Sequence, residues 1–255
     1  MSELQVIVKR IQADDAPQCY CCMTEVPTPW PEAVCQCRGW IAENLGRYAE
    51  GYHAQMGEQV IGHLYYAASD RALFPYEAEP GAAVLYCEWV QRRYQGQGIG
   101  RKLFDAFVSE ARAQNVKGIL VEATDLEGQM NTRHYGTRGF SVVQEQGHRK
   151  LMYLALSQPS ITARPLQPSL TPRRRVPVEV LILSSYLCPL DVSTQMLMLD
   201  VAREFGDQVV LKQEQLTPES LKRYGVANGI FINGRQKLTG ATTEEAIRQA
   251  IVEEL

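Results

Sequence analysis

The residues best suited to chemistry lie in one run: Cys87-Glu88-Trp89-Val90-Gln91-Arg92-Arg93-Tyr94-Gln95-Gly96-Gln97-Gly98-Ile99-Gly100-Arg101-Lys102-Leu103. It begins as a buried strand, passes through a glycine-rich turn and opens an amphipathic helix, in which Ile99, Leu103, Phe107 and Ala111 recur every four residues. Such a junction aims several backbone N–H groups and the positive end of a helix dipole at one spot, which suits a phosphate or pyrophosphate. Glycine permits the close approach. The spacing of Gly96, Gly98 and Gly100 is not the G-x-G-x-x-G of a dinucleotide fold, and no Gly-Lys-Ser/Thr of a P-loop is present. Glu88 adds a carboxylate to an otherwise apolar strand, where a charge must be paired or functional.

Gln95-x-x-Gly98-x-Gly100 resembles the Q/R-x-x-G-x-G/A signature of the GNAT acetyltransferase superfamily, and Val90 stands five residues before Gln95, as the apolar residue does in many members. Tyr135-Gly136-Thr137-Arg138-Gly139-Phe140 resembles that superfamily's Y-x-x-x-G-F. The resemblance implies an N-acetyltransferase with acetyl-CoA (coenzyme A) as co-substrate and a small-molecule or peptide amine as acceptor. The amine would attack directly in a ternary complex, without an acyl-enzyme. Backbone groups about Trp89 and Val90 would pair with the pantetheine arm, and the main chain of Gln95, Gly96, Gln97, Gly98, Ile99, Gly100 and Arg101 would cradle the pyrophosphate. Tyr135 would lie near the sulfur and protonate the departing thiolate. Glu88 is the first candidate to accept the amine's proton or anchor the acceptor, ahead of His134 and Glu122. The chain departs from many relatives at Gly128 and Asn131, where they carry Asn and Ala.

These residues need a framework. The pattern predicts strands over 6–11, 47–55, 59–67, 82–90, 118–123, 140–145 and 148–156. It predicts helices over 31–45, 98–114 and 130–138, with a further helix capped by Asp14 or Asp15. This is an α/β (α+β) domain over 1–157, which the resemblance makes a GNAT mixed central sheet flanked by helices. Residues 158–177 are rich in proline and read as an extended linker. The remaining 178–255 read as β-α-β-α-β-β-α, with helices from Ser193, from Pro218 behind an N-cap Thr217, and from a Thr242/Glu245 capping box. That order suits a small thioredoxin-like domain. Its pairing with the first domain is similar to acetyltransferases that carry a C-terminal YoaP-like domain. Cys188-Pro189-Leu190-Asp191 stands where a thioredoxin-like protein carries Cys-x-x-Cys, with Asp191 in place of the resolving thiol, so dithiol exchange is not expected.

Composition bounds the rest. A net charge of −3 gives no reason to expect a nucleic-acid or anionic-membrane partner, and no run of about 18 apolar residues exists to span a bilayer. The N-terminus lacks a secretory core, so a cytoplasmic location with reduced thiols is expected. Five of the seven cysteines crowd together at Cys19, Cys21, Cys22, Cys35 and Cys37 without paired C-x-x-C spacing, and no metal is assigned to them. Two other functions fit the same sequence: a non-catalytic acyl-CoA-binding sensor, and a thiol- or metal-handling protein using the cysteine cluster and Cys188. The acceptor and the oligomeric state are open.

Overall fold

The computed structural model describes residues 5–25, 30–126, 130–238 and 242–255. Gly128 therefore lies outside the described residues. Two compact units result: Met1–Val26, Ile41–Ala72 and Ala78–Arg164 form one, and Pro27–Trp40, Leu73–Glu77 and Pro165–Leu255 the other. In chain order the regular elements up to the second unit's core are β1 (Val6–Arg10), α1 (Pro31–Asn44), β2 (Glu50–Met56), β3 (Gln59–Ala68), β4 (Tyr76–Ala78), β5 (Ala82–Val90), α2 (Ile99–Ala113), β6 (Gly118–Thr124), α3 (Thr132–Gly136), β7 (Ser141–Gln146), β8 (Arg149–Ala155) and β9 (Ala163–Pro165). Short 3-10 helices cover Ala13–Gln18 and Cys21–Thr24. The helix expected behind Asp14 or Asp15 is the first of these, with Pro17 inside it; proline cannot continue an α-helical ladder.

The first unit is built on a seven-stranded sheet in the order β1-β2-β3-β5-β6-β8-β7. Every neighbouring pair is antiparallel except β5 and β6. That parallel ladder runs from Ala82↔Gly118 to Leu85↔Val121 and stops. Beyond it β5 stays with β3 as far as Gly62↔Val90, while β6 stays with β8 as far as Thr124↔Arg149. The two strands thus part in mid-sheet and open a wedge. A register shift on the β3 side, where Tyr65 faces Cys87 and Tyr66 faces Leu85, leaves Tyr86 as the extra residue at the point of parting. Such a bulge bends a strand and re-aims its side chains. Helix α2 covers one face through Ile99, Leu103, Phe104 and Phe107, which pack with Val90, Tyr135 and Phe140 in one core. Each such side chain contributes about 1.5–3 kcal/mol by burial, so the helix that forms the turn is firmly seated.

The second unit holds β10 (Val178–Ser184), α4 (Pro189–Arg203), β11 (Val209–Gln215), α5 (Pro218–Tyr224), β12 (Gly229–Ile232), β13 (Arg235–Leu238) and α6 (Glu244–Val252). Its sheet order is β11-β10-β12-β13, with β10 parallel to β11 and the other pairs antiparallel. Helix α4 begins at Pro189 rather than Ser193, with Cys188 as N-cap, because proline fits the first helical position. The last helix is capped by Thr243, whose hydroxyl accepts from the Ala246 N–H, not by Thr242. The proline-rich stretch, which the sequence suggested as a linker, is hydrogen-bonded to the second unit's turns: Ser169 N–H donates to Arg223 O at 2.9 Å and Arg173 N–H to Asn233 O at 3.0 Å. No helix among the described residues is long and apolar enough to cross a membrane.

Candidate active site

The glycine turn sits where β5 leaves the sheet. Gly96 and Gly98 both have φ of +76°, the left-handed region that side chains disfavour, and nothing lies within 4 Å of where a Cβ would project. Their role is to set the backbone. Gly100 differs: a Cβ there would come within 3.0 Å of Glu88 Oε1, so this glycine lets α2 close onto β5. Gln95 was expected to contribute its main chain to the cradle, and here the structure differs. Its N–H donates to Arg92 O at 3.2 Å and its side-chain amide to Val90 O at 2.8 Å, so Gln95 ties the turn together. From Gly96 to Arg101, by contrast, no N–H among the described hydrogen bonds has a backbone acceptor, and Gly98 as N-cap supplies no side-chain cap. Those donors need an external acceptor. Arg92, Arg93, Arg101 and Lys102 are exposed around them, which favours an anion. Glu25 braces the turn, its carboxylate accepting from the Arg92 N–H at 2.8 Å and from Trp89 Nε1 at 3.3 Å.

Glu88 stands beneath this turn. Arg138 donates to both its oxygens, at 2.5 and 2.8 Å, with only 6% of the Glu88 side chain exposed. The guanidinium also lies over the Phe104 ring, 4.5 Å from its centre. The expected role of Glu88 as proton acceptor therefore meets a carboxylate whose oxygens are occupied; the structure gives it an ion pair joining β5, α2 and the segment after α3. Arg138 was not foreseen as a site residue.

Tyr135, on α3, is wholly buried. Its hydroxyl donates to Met130 Sδ at 3.0 Å, a weak acceptor, and burial, with the nearby Glu88 charge next, holds the phenol well above its ordinary range. Asn131 acts locally, capping α3 by accepting from the Arg133 N–H at 2.9 Å. His134 packs edge-on against Tyr135, and burial followed by the Arg138 charge lowers its pKa. Glu122 pairs with Arg149 at 3.7 Å, at the other side of the wedge.

A second group lies on the hairpin of β2 and β3. His53 and His63 face each other across the pair and are fully buried. Cys19 Sγ is 3.7 Å from His53 Nε2, Cys21 Sγ 3.2 Å from His63 Nδ1, and Cys87 Sγ 3.6 Å from His63 Nε2. Tyr20, at φ 62°, turns the chain between the first two thiols. No three His, Cys, Asp or Glu side chains among the described residues converge as a metal site. None of the seven cysteines is in a disulfide. The strands expected over 47–55 and 59–67, joined by a short connection, already placed His53 and His63 close to opposite one another, the signal that could have revealed them.

Burial lowers the pKa of His53 to about 4 and of His63 to about 3. The unfolded chain takes up these protons near the ordinary 6.5, the folded chain only well below it. Their contribution to stability is thus complete above about pH 6.5 and declines with acidification by about 1.4 kcal/mol per pH unit for each ring. Between about pH 7 and pH 5 each histidine should remove about 2 kcal/mol from the unfolding free energy. Urea denaturation at the two pH values measures this, and His53→Gln should show a smaller loss. An unfolding free energy unchanged over that range would mean that the rings are not buried neutral.

The model of the family described as Acetyltransferase (GNAT) family matches residues 11–140, more than half of the chain. The chain belongs to the GNAT acetyltransferase family. Among solved structures, this acetyltransferase is similar to an acetyltransferase of Thermus thermophilus, at 17% identity and TM-score 0.46, covering 61% of this chain and 100% of that one. It is also similar to a GNAT-family acetyltransferase of Brucella melitensis in complex with acetyl-CoA, at 18% identity and TM-score 0.42, covering 62% and 96% of the two chains. No curated protein matches it. Acetyl-CoA is the co-substrate of this acetyltransferase. The uncapped N–H groups after β5 fit its pyrophosphate.

Proposed function

We propose that the chain moves the acetyl group of acetyl-CoA to an amine of a small molecule or peptide, by direct attack in a ternary complex. The observation that carries this reading is the run of N–H groups from Gly96 to Arg101 without a backbone acceptor, at the mouth of the wedge between β5 and β6. These N–H groups bind the pyrophosphate. The β6-facing edge of β5 around Trp89 and Val90, past its last pairing with β6, offers backbone groups to the amide-bearing pantetheine arm. Acetyl-CoA supplies the activated acyl group and a thiolate leaving group. Tyr135, held protonated by burial, donates its proton to that sulfur. Glu88 acts through Arg138 as a positioning residue for α2 and the segment after α3.

The strand order of the second unit supports a thioredoxin-like, YoaP-like tail, with Cys188 at the start of α4 and Asp191 in the place of a second thiol. Its role is not disulfide exchange. A cytoplasmic setting, with all cysteines as thiols, accords with this.

Calorimetry with coenzyme A tests the cradle. Gly98→Val puts a β-branched residue at a left-handed φ; either the strain persists or the turn relaxes and its N–H groups lose their aim. Affinity should fall about 10-fold or more, equivalent to about 1.4 kcal/mol. An unchanged affinity would remove the cradle from the reading.

A further inference from the structure

We propose that Cys87 is an acetyl-accepting thiol, which takes the acetyl group of acetyl-CoA and holds it as a thioester inside the wedge. The proposal rests on acetyl-CoA as the co-substrate of this site. Cys87 lies two residues beyond Leu85, the last residue of β5 paired with β6, so it stands where the strands have parted. It is half-buried, and its Sγ is 3.6 Å from Nε2 of His63. That ring is fixed: it stacks on Tyr65 at 4.5 Å, and its Nδ1 is 3.2 Å from Cys21 Sγ. With the ring proton on Nδ1, donated to Cys21, Nε2 is left as an acceptor facing Cys87. The ring thus fixes the direction of the Cys87 S–H rather than deprotonating it, since burial leaves the imidazole a weak base. Cys87 is also near enough to Tyr135 for charge on its sulfur to raise that phenol further, which puts both groups in one neighbourhood.

The step balances without any oxidant or reductant. A bond forms between Cys87 Sγ and the acetyl carbon while the bond from that carbon to the coenzyme A sulfur breaks. The departing coenzyme A sulfur takes the Cys87 proton and leaves as a thiol, while His63, held neutral by burial, orients the Cys87 thiol from Nε2. One thioester replaces another, so the equilibrium constant is close to unity and the acetylated fraction of Cys87 follows the ratio of acetyl-CoA to coenzyme A. The acetylated thiol is a branch beside the amine-transfer path, in which the amine attacks acetyl-CoA itself. An acetyl group parked on Cys87 would crowd the wedge and slow that transfer when acetyl-CoA is abundant and acceptor scarce.

Intact-protein mass spectrometry after incubation with acetyl-CoA in the absence of an amine tests this, with peptide mapping of the adduct. The expected result is one added acetyl group on Cys87, removed by neutral hydroxylamine and by excess coenzyme A. The adduct should be absent from Cys87→Ala and retained in Cys35→Ala, although Cys35 is the exposed thiol of the two. Mapping to Cys35 or to a lysine would overturn the proposal. So would the absence of any adduct in protein that binds coenzyme A by calorimetry. Absence of that binding would overturn the proposal together with the cofactor reading beneath it.

Discussion

Tyr135→Phe should lower kcat by about 100-fold while coenzyme A binds as before. The ring contributes to packing against Phe140 and His134, 5.4 and 5.2 Å between ring centres, and phenylalanine keeps that packing. What it removes is the hydroxyl, which donates to the Met130 thioether. Losing a hydrogen bond this weak costs the fold about 1 kcal/mol at most. In the proposed mechanism, catalysis loses the proton that Tyr135 would give to the leaving sulfur. Steady-state thiol release and calorimetry on the same preparations separate the two effects. Turnover that survives the change intact would dismiss Tyr135 as the acid. A parent protein that binds coenzyme A and turns over no amine in a broad screen would be an acyl-CoA sensor.

Arg138→Met should destabilise the first unit by about 3–5 kcal/mol, because it strands a carboxylate of which 6% is exposed. Removing both charges, as Glu88→Leu with Arg138→Met, should recover most of that loss, since no buried charge is then left alone. Denaturant titration of the single and double variants checks the pair. Equal destabilisation by the single and double changes would show that Arg138 acts through its stacking on Phe104 instead. The double variant should still bind coenzyme A less tightly, because Gly100 and the start of α2 lose the surface they close against.

The glycine turn was legible in the sequence because its causes are local. Left-handed glycines, a strand before them and a helix stripe after them all fall within one run of residues. The Glu88–Arg138 pair was not, since its partners stand 50 residues apart and meet only once the sheet and the segment after α3 have come together. The histidine–thiol group lay between these cases. The hairpin aligns His53 with His63, but the approach of Cys19 and Cys21 depends on Tyr20 taking a conformation that tyrosine rarely adopts. Misplaced helix starts have simpler origins. Pro189 carries the N1 signal that Ser193 lacks, and Pro17 forbids the helix that Asp14 and Asp15 could otherwise have begun.

The proline-rich stretch has a bearing on how the protein can be taken apart. Where a side chain would project from Gly225, the backbone of Leu166 and Pro168 is already within 3.1 Å; at Gly234, Thr171 O lies at 3.3 Å. The stretch is thus a strap fastened over two turns of the tail, and it belongs to that unit's fold as much as β10 does. A tail fragment begun at Val178 would lay bare two glycine turns and their unanswered carbonyls; one begun at Pro165 would keep its own wrapping.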